Sequence, residues 1–225
     1  MHFCSVVTGA GDGIGKAYSF ELAKRGLNIV MISRTLEKLQ KVATEIEQAT
    51  GRNVKIIQAD FTKDYIYENI EESLQGLEIG ILVNNVGMLH NPLPCRFLNG
   101  ADSDEKLINC NIISVTKAFV CTFSKALQAE YKAKGIIIQV VAPYAVSTPM
   151  TMYQKPNLIT KTAEEFVRES LIYVTVGEET FGCLAHEILA CILQLIPLWV
   201  FHSDRLQEVF LNAFSTYLKR NWKRP

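Results

Sequence analysis

Thr8-Gly9-Ala10-Gly11-Asp12-Gly13-Ile14-Gly15 is the stretch on which the reading of this chain turns. The β-branched run Cys4–Thr8 precedes it, and residues 13–25 follow with a helical period that stops at Gly26. Glycines at 9, 11, 13 and 15 let the backbone turn tightly and come close to an anion. The helix that opens behind them offers unpaired N–H groups and a partial positive charge. The spacing is not G-x-G-x-x-G, because Ile14 and Lys16 break it; it reads T-G-x-x-x-G-x-G. A strand, a glycine-rich turn and a helix at the start of an alternating chain together point to a dinucleotide phosphate.

The alternation continues outward. Asn28–Ser33 reads as a strand, Leu36–Thr50 as a helix stopped by Gly51, residues 54–60 as a strand and 63–74 as a helix. Residues 79–84 read as the next strand, with no polar side chain before Asn84, as in a strand buried on both faces. A helical pattern then runs unbroken over 102–134, and 136–141 gives one more apolar strand closed by Pro143. From Thr160 onward the chain reads as helices with one turn near Gly177. The fold class is therefore α/β, a Rossmann-like doubly wound parallel sheet with its ligand at the carboxyl ends of the strands. At 225 residues, with no repeat or linker, the chain is one domain. It comprises a nucleotide-binding half at 1–101, a short second half at 102–159 and C-terminal helices at 160–225.

Residues at the strand ends refine the ligand. Ser33 and Arg34 close the second strand, where a site for NAD places an acid; an uncharged residue followed by Arg suits the 2′-phosphate of NADP. An incidental surface Arg is the other reading. Asp60 ends the third strand and Asn84-Asn85-Val86-Gly87 the fourth. Taken together these motifs resemble the short-chain dehydrogenase/reductase family. The resemblance implies NADPH as cofactor, cradled by Thr8, Gly9, Gly11, Asp12, Gly13, Ile14 and Gly15. Ser33 and Arg34 lie at the ribose, Asp60 beside the adenine, and Asn84 in the family's N-N-A-G, which braces the central sheet. Pro143-Tyr144-Ala145-Val146-Ser147-Thr148 is similar to the family's P-G-x-V-x-T, which places Pro143 and Thr148 on the nicotinamide side. The similarity is strongest to the family's steroid-reducing members and covers almost the whole chain. It implies NADPH-dependent reduction of a 17-ketosteroid in steroid biosynthesis.

The family's catalytic set is incomplete here. It comprises a helical Asn, a Ser after the fifth strand and a Y-x-x-x-K pair, in which Tyr is the general acid and Lys lowers its pKa. Asn111 matches the helical Asn, and Lys117-Ala118-Phe119 resembles the residues around the Lys, but Ile113 then stands at the Tyr position. Tyrosines 18, 65, 67, 131, 144, 153, 173 and 217 are followed four residues later by Leu, Asn, Glu, Gly, Thr, Asn, Gly and Asn, never by Lys. The fifth strand and its Ser have no counterpart either. This places an internal deletion with its junction near residues 115–117. A central strand burying about four large side chains contributes on the order of 6–12 kcal/mol, against a whole-domain stability of about 5–15 kcal/mol. Either the product folds poorly, or the fused helix 102–134 carries strand 136–141 directly beside strand 79–84 as a shortened sheet. The first case leaves no function. The second leaves a catalytically dead, NADPH-binding or regulatory protein. The family's usual dimer pairs through the helices fused here, so that dimer is in doubt.

Composition narrows the partners. Lys plus Arg and Asp plus Glu balance at 23 each, so no net field draws nucleic acid. Cys4, Cys95, Cys110, Cys121, Cys183 and Cys191 are scattered without a C-x-x-C pair, which fits free thiols in a reducing compartment and no metal. His2, His90, His186 and His202 lack partners at ligand spacing and read as structural or exposed. The apolar stretch 184–201 contains His186, Glu187, Gln194 and Pro197, which argue against a bilayer span. It reads as a buried helix or, alternatively, a membrane-surface one giving peripheral contact. The resemblance implies the cytosolic face of the endoplasmic reticulum. The chain opens into a strand with no apolar anchor ahead of it, which leaves the cytoplasm as the other expectation.

Overall fold

The computed structural model describes residues 3–87 and 117–197 and scattered positions between 200 and 217. Its first half is β1 (Cys4–Thr8), α1 (Gly13–Lys24), β2 (Asn28–Ser33), α2 (Leu36–Thr50), β3 (Val54–Gln58), a 3-10 turn (Asp64–Ile66), α3 (Tyr67–Leu74) and β4 (Ile79–Val83). The four strands form one parallel sheet in the order β3-β2-β1-β4. That order is the nucleotide-binding half of a doubly wound sheet. It puts the carboxyl ends of β1, β2 and β4 around the glycine loop.

Sequence chemistry explains the element ends. Leaving α1, Gly26 takes φ 95°, and leaving α2, Gly51 takes φ 67° with its N–H on the Glu47 carbonyl at 2.9 Å. Left-handed glycine is the usual stop for a helix because it carries no Cβ. The strands alternate by face. Val7, Ile29 and Met31 point to a core shared with Leu22, Leu39, Ile46, Phe166 and Val167. Val6, Val30 and Ile32 point to a smaller core with Ile57, Ala59 and Ile66. Each such large buried side chain stabilises the fold by about 1.5–3 kcal/mol.

The second half is α4 (Lys117–Tyr131), a 3-10 turn (Lys132–Lys134), β5 (Val140–Val141), β6 (Val146–Ser147), β7 (Lys161–Thr162), α5 (Ala163–Ser170), β8 (Glu179–Thr180) and α6 (Leu184–Gln194). Helix α5 opens with a capping box, Thr162 accepting from Glu165 N–H and the Glu165 carboxylate accepting from Thr162 N–H. It packs on α1 through a buried hydrogen bond. Ser170 Oγ donates to the Val167 carbonyl, so the Tyr18 hydroxyl donates to Ser170 Oγ at 2.8 Å. Burial pushes the Tyr18 phenol up, and the Ser170 hydrogen bond opposes that rise.

Several expectations are corrected. Strand 136–141 does not lie beside β4; among the described residues β4 pairs with β1 alone. Only Val140 and Val141 are strand, and they pair with β8. The reason is local: Val140 N–H goes to Glu178 O, Ala142 N–H to Thr180 O, and the Gln139 amide to the carbonyls of Tyr173, Val176 and Gly177. Nor is β4 buried on both faces, since Leu82 is 59% exposed. The C-terminal helix is not simply buried either. α6 docks through His186 and Ala190, while Leu184, Ile188 and Ile192 face outward. Strands β7 and β8, two residues each, fall where helices were expected, because a two-residue bridge has no period to detect. The start of the fused helix, 102–116, lies outside the described residues. The turn at Gly177 is present, with φ 75°.

Candidate dinucleotide-binding site

The glycine loop is a cradle that side chains would fill. Gly9 and Gly13 have φ 64° and 54°, conformations that side chains rarely tolerate. A Cβ on Gly15 would sit 2.3 Å from the Gly9 carbonyl oxygen and 2.6 Å from Asn85 Nδ2. The loop is also tied to the sheet. Gly9 N–H donates to the Ile32 carbonyl at 2.8 Å, and Thr8 Oγ1 donates to the Val83 carbonyl at 3.3 Å while accepting from Asn85 N–H at 2.9 Å. Asn85 Nδ2 reaches the Thr8 carbonyl at 3.4 Å. Of the expected pair it is thus Asn85, not Asn84, that joins β4 to β1 under the loop; Asn84 is exposed. The signal for Asn85 lay within the quoted motif, but only the packing tells which amide turns inward.

The α1 N-terminus presents Gly13, Ile14 and Gly15. The first N–H groups of a helix have no intrahelical partner, and the side chain of Asp12, the N-cap residue, accepts from none of them. Instead Asp12 Oδ2 pairs with Lys38 Nζ at 2.6 Å. Ser33 Oγ and the Lys38 stem lie beside Gly11. Across the loop, buried Thr148 comes to Gly13, its Cβ and Cγ2 each 3.4 Å from the position a Gly13 Cβ would take. The end of β6 therefore comes beside the first loop at Gly13. Pro143 follows β5 half-buried.

Beyond Ser33 opens a cleft of about 290 Å³ lined by Arg34, Gln58, Ala59, Asp60, Lys63, Tyr65, Ile66 and Asn69. Gln58 Nε2 fixes the edge by donating to the Arg34 carbonyl at 3.0 Å. The Asp60 carboxyl is held below its ordinary range, first by the N–H of Thr62. The Thr62 hydroxyl and the charges of Arg34 and Lys63 act in the same direction, against partial burial. Asp60 lies two residues beyond the end of β3, in the cleft rather than on the strand. An anion at Arg34 and a planar group over Ala59 and Ile66 suit this cleft. The backbone cradle behind it suits a diphosphate, so the residues present fit a dinucleotide.

Of the catalytic remnants, Asn111 lies outside the described residues and Lys117 is the first residue of α4. Of the histidines, His186 is buried with its ring nitrogens on the carbonyls of Ile159 (2.8 Å) and Phe181 (3.3 Å), a structural role; the other three lie outside the described residues. Cys4 and Cys183 are buried and Cys191 is exposed, and none of the three is in a disulfide. Among the described residues no helix is long and apolar enough to cross a membrane.

Comparison with known proteins places this geometry. The short chain dehydrogenase family profile matches residues 4–116 and 114–158, two segments that meet at 114–116. The chain is 60% identical to 17-beta-hydroxysteroid dehydrogenase type 3 of Homo sapiens, over 97% of this chain and 83% of that protein. It is 40% identical to the very-long-chain 3-oxoacyl-CoA reductase of Anas platyrhynchos, over 86% of this chain and 75% of that protein. The human alignment spans 258 positions, whereas 97% of 225 residues is about 218, so about 40 positions have no residue of this chain opposite. Among solved structures, a short-chain dehydrogenase from Sphingobium yanoikuyae in complex with NADPH superposes with TM-score 0.67 at 26% identity, over 76% of this chain and 84% of that one. The fold, the glycine cradle and these matches agree: the chain belongs to the short-chain dehydrogenase family.

Proposed function

We propose that this chain is an NADPH-binding member of the 17-ketosteroid-reducing branch that holds its cofactor but turns substrate over poorly or not at all. The observation that carries the reading is an intact cradle, Gly9 to Gly15 braced by Asn85, in a chain with no Tyr four residues before a Lys. The steroid assignment rests on the 60% identity to the human dehydrogenase. The NADPH assignment rests on Arg34 in the cleft beyond Ser33, with support from the NADPH complex among the similar structures.

Bound NADPH would supply a hydride for a ketone carbon. The chain's own residues would do the holding: backbone N–H groups of Gly13 to Gly15 on the diphosphate, Arg34 on the 2′-phosphate, Asp60 and Ile66 along the adenine cleft, and Thr148 beside Gly13 toward the nicotinamide. What the sequence does not provide is a Tyr four residues before a Lys to act as a phenolic proton donor. Losing a general acid lowers rate by about 10²–10⁴-fold. The two profile segments meeting at 114–116 support an internal deletion as the origin of that loss.

The test is a calorimetric titration of the purified chain with NADPH and with NADH, followed by NADPH consumption with androstenedione. NADPH binding tighter than NADH, without consumption, is the expected result. Consumption at the rate of an intact family member overturns the reading, as does binding of neither dinucleotide.

A further inference from the structure

Asp12 occupies the N-cap of the phosphate-facing helix with φ −160° and ψ −178°, the extended backbone that an N-cap takes. Asp is among the strongest N-cap residues because its carboxylate accepts from the N–H groups of the first turn, and its charge is favourable there. Here it does not cap. The side chain makes no cap hydrogen bond, and Oδ2 lies 2.6 Å from Lys38 Nζ, with both side chains about half exposed. Lys38 stands in the first turn of α2, and its stem crosses against Gly11, with Cβ and Cδ at 3.4 and 3.8 Å from where a Gly11 Cβ would be. The cation therefore comes from a second helix and reaches over the glycine loop.

We propose that Lys38 is a positioning residue of the dinucleotide site: it holds the Asp12 carboxylate away from the α1 N-terminus and so keeps those N–H groups open for a diphosphate. The inference rests on the NADPH reading above. Without Lys38 the carboxylate has an intramolecular alternative, capping its own helix at Ile14 or Gly15. There it occupies the hydrogen bonds a diphosphate needs, and its charge is no longer neutralised. A capping interaction of typical strength, with the added repulsion, corresponds to about a tenfold loss of dinucleotide affinity. The loss falls on NADPH and NADH alike, because the diphosphate is common to both.

The test is titration of the full chain with NADPH and NADH at low ionic strength, for the wild type, Lys38→Met, Lys38→Arg, Asp12→Ala and the Lys38→Met/Asp12→Ala double variant. Lys38→Met is expected to weaken both dinucleotides about tenfold, and Lys38→Arg to restore them. In the Asp12→Ala background Lys38→Met should have no effect. That dependence on Asp12 is something a merely structural lysine would not show. Unchanged binding in Lys38→Met overturns the inference and leaves the NADPH reading standing. A loss confined to NADPH and indifferent to Asp12 also overturns it, assigning Lys38 to the 2′-phosphate directly. A wild type that binds neither dinucleotide overturns the NADPH reading itself, and this inference with it.

Discussion

Gly15→Ala probes the closest approach in the site. The added Cβ would lie 2.3 Å from the Gly9 oxygen, 2.8 Å from the Gly9 carbonyl carbon and 2.6 Å from Asn85 Nδ2. Reaching even 3.0 Å from the oxygen requires a relative shift of about 0.7 Å between α1 and the loop. Two of the three opposing atoms are backbone, so no rotamer change relieves the clash. Overpacking of this kind costs about 1–3 kcal/mol, and the better helix propensity of Ala returns at most about 1 kcal/mol. With the full offset the net loss is up to about 2 kcal/mol. The same shift displaces the N–H groups aimed at the diphosphate, and dinucleotide affinity should fall more than tenfold. Urea unfolding and NADPH titration measure the two effects. Gly51→Ala serves as control: it has φ 67° but nothing within 4 Å, so it should lose about 1 kcal/mol by backbone strain and bind normally. A Gly15→Ala protein with an unchanged urea midpoint and unchanged binding would refute the proposed close packing of loop, helix and Asn85.

Arg34→Ala should weaken NADPH by about ten- to a hundredfold, the worth of a charge-assisted phosphate contact, and leave NADH unchanged in the same titration. Asp60→Asn should flatten the acid limb of stability. The carboxyl is lowered from 3.8 in the fold, so its contribution is present above about pH 4 and is lost as pH falls through and below that value; acid unfolding of both proteins reads the difference. Tyr18→Phe removes the buried donor to Ser170 and should lower stability by about 1 kcal/mol, seen in urea melts, with little change in NADPH affinity.

The first half of the fold was legible almost residue by residue. β2 and α2 fall at the expected bounds, Asn28–Ser33 and Leu36–Thr50, because the apolar pattern and Gly51 act locally and the tertiary structure agrees with them. Shared frames read less well. Asn84 and Asn85 are indistinguishable in sequence, and only the approach of Gly9 and Gly15 selects Asn85. The apolarity of β4 speaks of a strand flanked on both sides, yet Leu82 is exposed; sequence records the environment the strand is suited to, not the neighbours it has. α6 is similar: Ile188 and Ile192 look like core residues, but the docked face is the one around His186 and Ala190. The Asp12–Lys38 pair joins residues 26 apart, and no local pattern announces it.

Cofactor binding and the lost proton donor can be tested together in one sample. NADPH is bound to the purified chain under single-turnover conditions, androstenedione is added, and bound cofactor and its oxidation are followed together. Saturable NADPH binding is expected, with oxidation slowed at least a hundredfold relative to the human type 3 dehydrogenase measured alongside, the lower bound for an absent general acid. Oxidation of NADPH and formation of the 17-hydroxysteroid at comparable rates would contradict it.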